Sequence, residues 1–188
     1  SGGKLSSFGF HEKHDVAAIL DLIERRWPDQ PRALLGISMG AAAICFAAEQ
    51  ASKCQAIILE SCYRDVFTAF ANRLQRYPDW MKQLSAGTVK VTERRLQLQV
   101  QEVNPALHID KLTPAPVLLL TGTKDRFAPP EEAQSLYEKC SEPREIFLVE
   151  GADHHDVFET GAAAYRDRVV DFLQRHMQAA LAGGFRAA

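Results

Sequence analysis

The sequence predicts an α/β fold, a mostly parallel sheet with helices on both faces. Three observations carry this reading: short, almost wholly apolar runs recur along the chain, helical stripes separate them, and Pro, Gly or Ser bounds each run. Runs so short and so uniformly apolar have the form of strands covered on both sides. Strands that alternate with helices pair in parallel through crossovers.

Val16, Ile19, Leu20, Ile23 and Trp27 recur at helical spacing until Pro28 stops the pattern, giving one amphipathic helix. Arg32 to Ile37 is the first strand, bounded by Pro31 and a Gly-Ser turn, and its composition predicts burial on both faces. Ala41 to Gln50, rich in small helix formers, is the next helix. Ala56 to Leu59, Val117 to Thr121 and Ile146 to Val149 are the remaining strands. Pro130 to Cys140 is a helix whose initial Pro, with Glu131 and Glu132 in the first turn, suits the positive end. The last helix runs from about Ala163 to Leu181, with Val169, Phe172, Leu173, His176 and Met177 on one stripe and Gly183 and Gly184 at its end.

Arg64 to Asp110 breaks this rhythm with a helical stripe (Val66, Phe70, Leu74), a Pro78-Asp79-Trp80 interruption and mixed periodicity from Val89 to Val103. It is too long for a plain crossover and is expected to cap a site. The domain reading is therefore a core of 1–63 and 111–188 with a cap at 64–110.

Composition narrows the function. The chain has 188 residues, a formal charge of −2, 46% hydrophobic and 24% charged residues, which places it among globular domains and outside disordered or collagenous chains. No apolar run approaches the length of a membrane span. No dense Lys/Arg stripe offers a nucleic-acid surface. Cys45, Cys54, Cys62 and Cys140 form no C-x-x-C pair and sit among apolar neighbours, so reduced core thiols and a cytoplasmic setting are expected. His11, His14, His108 and His176 are scattered without helical metal-ligand spacing, and no metal or other cofactor is expected.

Gly36-Ile37-Ser38-Met39-Gly40 stands where a buried strand ends and a small-residue helix begins. A serine on so sharp a turn has its hydroxyl lifted above the strand tip, and the flanking glycines, Gly36 and Gly40, are expected to relieve collisions with strand and helix. The amide of Met39 then faces the place where an oxyanion would form, near the positive helix end. Serine is a weak nucleophile until a base takes its proton, so a His and an orienting carboxylate are required elsewhere. Gly122-Thr123-Lys124-Asp125 follows the third strand and Gly151-Ala152-Asp153-His154-His155-Asp156 follows the fourth, which brings Asp125 and His154 to the same carboxyl edge as Ser38. Only one of His154 and His155 can be the base, the other being a neighbouring polar side chain; Asp153 and Asp156 shape the loop, are solvated or hold the imidazole; and Glu60, at the end of the second strand, rivals Asp125 as the orienting acid. Phe67, Phe70, Trp80 and Met81 either line an acyl pocket or form the cap's own core.

At these residues the sequence resembles the α/β-hydrolase superfamily, specifically serine hydrolases of the esterase, lipase and acyl-peptidase kind. The likeness spans nearly the whole chain. It rests on the nucleophile motif at Ser38, the Gly-x-x-Asp loop at Asp125 and the Gly-x-x-His loop at His154, in that chain order, and on the Asn104-Pro105 stretch leading to Leu112 and the Pro116-Val117-Leu118 strand. The resemblance implies cleavage of a carboxylic ester, thioester or amide through an acyl-enzyme on Ser38. An acyltransferase with the same three residues, or a non-catalytic interaction module on the same scaffold, is the alternative. It also implies that the first strands of the family's sheet, with the loop giving the second oxyanion donor, are missing here. Arg32 to Ile37 would then be an exposed apolar edge, so the expected partners are a missing N-terminal segment or a second copy, besides a small ester or acyl substrate.

Overall fold

The structure is a computed structural model that describes residues 6–75, 78, 91, 93–95 and 99–184, with the backbone alone for 179–184. Strands β1 (Ala33–Ile37), β2 (Ala56–Glu60), β3 (Val117–Gly122) and β4 (Arg144–Val149) form a parallel sheet in the order 1-2-3-4. Each strand begins within two residues of its expected start.

Alternation along the strands divides the core. Ile57, Leu59, Val117 and Leu119 pack beneath α1 (Lys13–Arg26), α2 (Met39–Phe46), α3 (Ala48–Ala51) and α5 (Pro130–Lys139). Ala56, Ile58, Leu118 and Leu120 face the long last helix, α6 (Val157–Gly184), and meet its Val157, Tyr165 and Phe172. Period-two side chains with apolar partners on both sides explain why β2 and β3 are buried at every position. Helices therefore cover both faces, as the fold class requires. No described helix is long and apolar enough to cross a membrane.

One expectation changes. The first strand is not buried on both faces: Leu35 is 47% and Ile37 51% exposed. Leu34 and Gly36 turn toward α2, whereas Leu35 and Ile37 lie on the α6 side beyond the reach of that helix, which packs on β2, β3 and β4. The last helix starts at Ala163 as expected: Ala162 (φ 42°, ψ −113°) is non-helical and separates it from a short helical segment that begins at Val157. The two ends of the 64–110 segment pack against the main core. Val66 and Ala69 on α4 (Val66–Leu74), together with Val100, Val103, Ala106 and Ile109, pack in the same cluster as α2. Val66 N–H donates to Val103 O at 3.0 Å and Ala106 N–H to Arg64 O at 3.2 Å, so the segment leaves and re-enters side by side. Most of its middle, including Trp80 and Met81, lies outside the described residues. Cys45, Cys54, Cys62 and Cys140 are buried free thiols.

The bare edge of β1 gives a first prediction. Leu35→Lys adds a charge on the edge strand of the sheet, on a face that no helix among the described residues covers, so it should lower self-association while changing stability by only about 0.5 kcal/mol. Light scattering coupled to size exclusion checks the first quantity and urea denaturation the second. A wild-type chain that is already monodisperse would remove the premise.

Candidate active site

Ser38 sits between β1 and α2 with φ 52° and ψ −111°, a conformation that costs a non-glycine residue on the order of 1–3 kcal/mol and persists only where its surroundings enforce it. The enforcing contacts are local. Ile37 pairs with Glu60 in the sheet, Ser38 N–H donates to Glu60 O at 2.8 Å, and Ala42 N–H donates to Ser38 O at 3.1 Å. Helix α2 folds straight back over the strand. A Cβ at Gly36 would lie 2.7 Å from Ala41 N and from the Gly40 carbonyl, so position 36 excludes a side chain. Gly40 is different, since a Cβ there would meet nothing within 4 Å, and the expected crowding exists on one side of the turn only. Met39 opens α2, where the first amides have no acceptor within the helix.

The other two residues come from turns that are fused to each other. Lys124 N–H donates to Ala152 O at 2.8 Å, Thr123 N–H to Val149 O at 3.0 Å and Gly151 N–H to Thr123 Oγ1 at 2.8 Å. Gly122 makes this possible, because a Cβ on it would lie 2.2 Å from Ala152 O. Within the first turn, the amides of Phe127 and Ala128 each donate to Asp125 Oδ1 at 2.8 Å. Within the second, His154 N–H donates to Asp153 Oδ1 at 2.7 Å and Asp153 N–H to Asp156 Oδ1 at 2.6 Å, so both aspartates shape the loop.

These turns bring Ser38, His154 and Asp125 into one hydrogen-bonded line. His154 Nδ1 lies 2.8 Å from Asp125 Oδ2 and 3.1 Å from Oδ1, and its Nε2 lies 3.0 Å from Ser38 Oγ. An ionised carboxylate only accepts, so Nδ1 carries the proton and Nε2 is left to accept from the serine hydroxyl. Asp125 is 2% and His154 7% exposed. Burial pushes the Asp125 carboxyl up, but the His154 hydrogen bond and the Ala128 amide outweigh it, and the acid sits below its ordinary value.

The remaining candidates fall outside that line. Glu60 is buried but accepts from Tyr165 OH at 2.6 Å rather than from His154. Burial pushes its carboxyl up against the lowering effect of that bond, and the Glu159 and Asp125 charges add to the rise. His155 is exposed and stacks edge-on, 5.1 Å from the His154 ring. Phe67 is 46% exposed on α4, whereas Phe70 packs edge-on against Phe8 at 5.0 Å. Glu132 does not merely face the positive end of α5: it is buried and reaches across to α4. Sequence reasoning did not single out Phe127, whose ring stands 5.3 Å from that of His154, nor Tyr165 or Asn72. Among the described residues no group of three or more His, Cys, Asp or Glu side chains forms a metal-binding set.

Residues 9–107 match the family model described as serine aminopeptidase S33, and residues 80–179 match that of TAP-like proteins. The uncharacterized protein YqkD of Bacillus subtilis (strain 168) is 30% identical over 185 residues, 92% of this chain and 58% of its own length. The polyketide transferase grgF of Penicillium sp. is 27% identical over 110 residues, 56% of this chain and 37% of that protein. The chain thus spans little more than half of the first of these relatives. Among solved structures, the Pyrococcus furiosus esterase Pf2001 superposes with a TM-score of 0.71 at 19% identity, covering 94% of this chain and 66% of that one. That likeness is one of fold.

Two predictions follow from the packing. Gly122→Ala should destabilise by about 2–3 kcal/mol, because the clash is with a carbonyl and not a flexible side chain. Gly40→Ala should stabilise by about 0.5–1 kcal/mol, as alanine does in helices where space allows. Urea denaturation of both variants checks the pair, and a similar loss in both would contradict the geometry. The second prediction concerns Glu60. Its folded pKa lies above the unfolded value of about 4.3, so the native state holds that proton more tightly and stability falls as pH rises through this window. Glu60→Gln keeps an acceptor for Tyr165 and cannot ionise. Its advantage over wild type should be small at pH 4 and grow toward pH 7, and a pH-independent difference in urea midpoints would exclude this account.

Proposed function

The chain belongs to the α/β-hydrolase superfamily, in the family described as serine aminopeptidase S33, and from that premise we propose that it is a serine hydrolase acting through an acyl-enzyme on Ser38. The observation that carries the reading is the unbroken contact from Ser38 Oγ through His154 to Asp125.

In the first step His154 Nε2 takes the hydroxyl proton as Ser38 Oγ bonds to the substrate carbonyl carbon, and the carbonyl π pair moves to oxygen. The 3.0 Å separation is within reach of direct proton transfer. Asp125 stays ionised, fixes the Nδ1–H tautomer and stabilises the imidazolium. Its lowered carboxyl suits this role, because a protonated acid would neither orient nor neutralise the ring. The Met39 amide donates to the oxyanion. Collapse of the tetrahedral intermediate breaks the bond to the leaving group, which takes the proton from His154. Water, deprotonated by the same imidazole, then attacks the acyl-enzyme and frees Ser38. A small, partly apolar acyl or aryl ester is the proposed substrate, in keeping with the exposed Phe67 and the Phe127 ring beside His154.

One observation favours a second reading, transfer of the acyl group to an acceptor other than water: the Penicillium relative is named as a transferase. The chemistry up to the acyl-enzyme is the same. Product analysis with and without alcohol or amine acceptors separates the two.

The intact protein should be labelled by a fluorophosphonate at Ser38 and should hydrolyse p-nitrophenyl butyrate. Ser38→Ala should lose labelling, and Ser38→Ala and His154→Ala should each lower turnover by roughly a millionfold. Labelling that persists in Ser38→Ala would remove the assignment.

A further inference from the structure

Helix α4 is the first element of the 64–110 segment, and two of its consecutive residues engage the turn that holds Asp125. Its start is fixed by Asp65, whose side chain accepts from Thr68 N–H at 2.9 Å. Two turns on, the Asn72 amide nitrogen has two hydrogens and two acceptors, Glu132 Oε1 at 2.7 Å and the Phe127 carbonyl at 3.3 Å. Its own oxygen accepts from Gln75 Nε2 at 3.3 Å, so every polar atom of the amide is used and its orientation is determined. Glu132, 6% exposed, accepts Arg64 N–H on Oε2 at 2.8 Å and thereby grips α4 at both ends. The neighbouring Arg73 guanidinium lies 5.0 Å above the Phe127 ring, and that ring stands at 89° to His154.

The Phe127 carbonyl and the Ala128 N–H belong to one peptide group, which is planar and conjugated. Asn72 donates to its oxygen, and its N–H donates to Asp125 Oδ1 at 2.8 Å. Hydrogen bonds in such a chain polarise one another, and here the Ala128 link to Asp125 is buried while the Asn72 link is partly buried. A donor on the carbonyl makes the N–H a better donor to the carboxylate and holds the peptide plane against rotation.

We propose that Asn72 is a positioning residue for the hydrolase chemistry, acting on Asp125 through the Phe127–Ala128 peptide while Glu132 holds its amide in place. The proposal rests on the reading of Ser38, His154 and Asp125 as the reacting line. It makes α4 part of the support for His154, although α4 supplies no group to that line.

The test is a double-mutant cycle in the intact protein, read as the rate of fluorophosphonate labelling and as kcat and KM for p-nitrophenyl butyrate. Asn72→Ala should lower the labelling rate and kcat by about fivefold to tenfold, the scale of one hydrogen bond, with KM within about twofold. In an Asp125→Asn background the same substitution should change either rate by less than about twofold, because the group it acts through has been altered. Asn72→Leu, which keeps the side-chain volume without donors, replaces Asn72→Ala if that variant does not fold. Equal fold-losses in both backgrounds would make Asn72 a general structural residue, and unchanged rates in the single variant would leave it no role; either result overturns the proposal. Labelling of Ser38→Ala at the wild-type rate would instead overturn the hydrolase reading itself, so the two failures are distinguishable.

Discussion

The approach of Gly122 to Ala152 is the contact on which the rest of the site depends. Asp125 and His154 are far apart in the chain and on separate turns, and their 2.8 Å contact survives only because the two backbones touch and exchange hydrogen bonds at their base. The strands beneath set this distance: β3 and β4 are paired up to Gly122 and Val149, so both turns leave the sheet at the same level. β1 and β2 play the equivalent part for Ser38, whose amide continues the ladder onto Glu60. Three side chains thus meet because four parallel strands end together.

Two buried acids at this edge have opposite fates, and the difference lies in their donors. Asp125 accepts from two backbone amides as well as from His154, and so remains a carboxylate despite being sealed from water. Glu60, directly beside Ser38 in the sheet, has the Tyr165 hydroxyl as a hydrogen-bond donor and faces the charge of Asp125. Charge on one acid therefore disfavours charge on the other, and the two carboxyls move in opposite directions, Asp125 down and Glu60 up. This is the physical basis for separating the orienting role from a structural one.

Much of this architecture was legible in the sequence because every strand shows as a short apolar run, and β2 and β3 are buried on both faces. The turns are legible for another reason: Gly36, Gly122 and Gly151 stand where backbone must approach backbone or adopt a positive φ, which is 80° at Gly151. What composition did not reveal depends on long-range packing. The exposure of Leu35 and Ile37 follows from the path of α6, and nothing in five apolar residues announces which helix will pass over them. Glu132 resembles any first-turn carboxylate until α4 is placed beside it, and Asn72 has no local signature at all. Gly40 shows the reverse error, since a motif position was given a steric role that the packing does not require.

The four sulfhydryl groups have a practical consequence. All are enclosed in the interior, and desolvation carries the pKa of Cys54 to about 11 and that of Cys140 to about 12. Burial withholds all four from an alkylating reagent in the native fold, and at Cys54 and Cys140 the raised pKa also leaves hardly any thiolate at neutral pH. A single cysteine engineered onto the solvent side of α6 would then be the one site that maleimide dyes or spin labels attack, with no need to strip out the natural four.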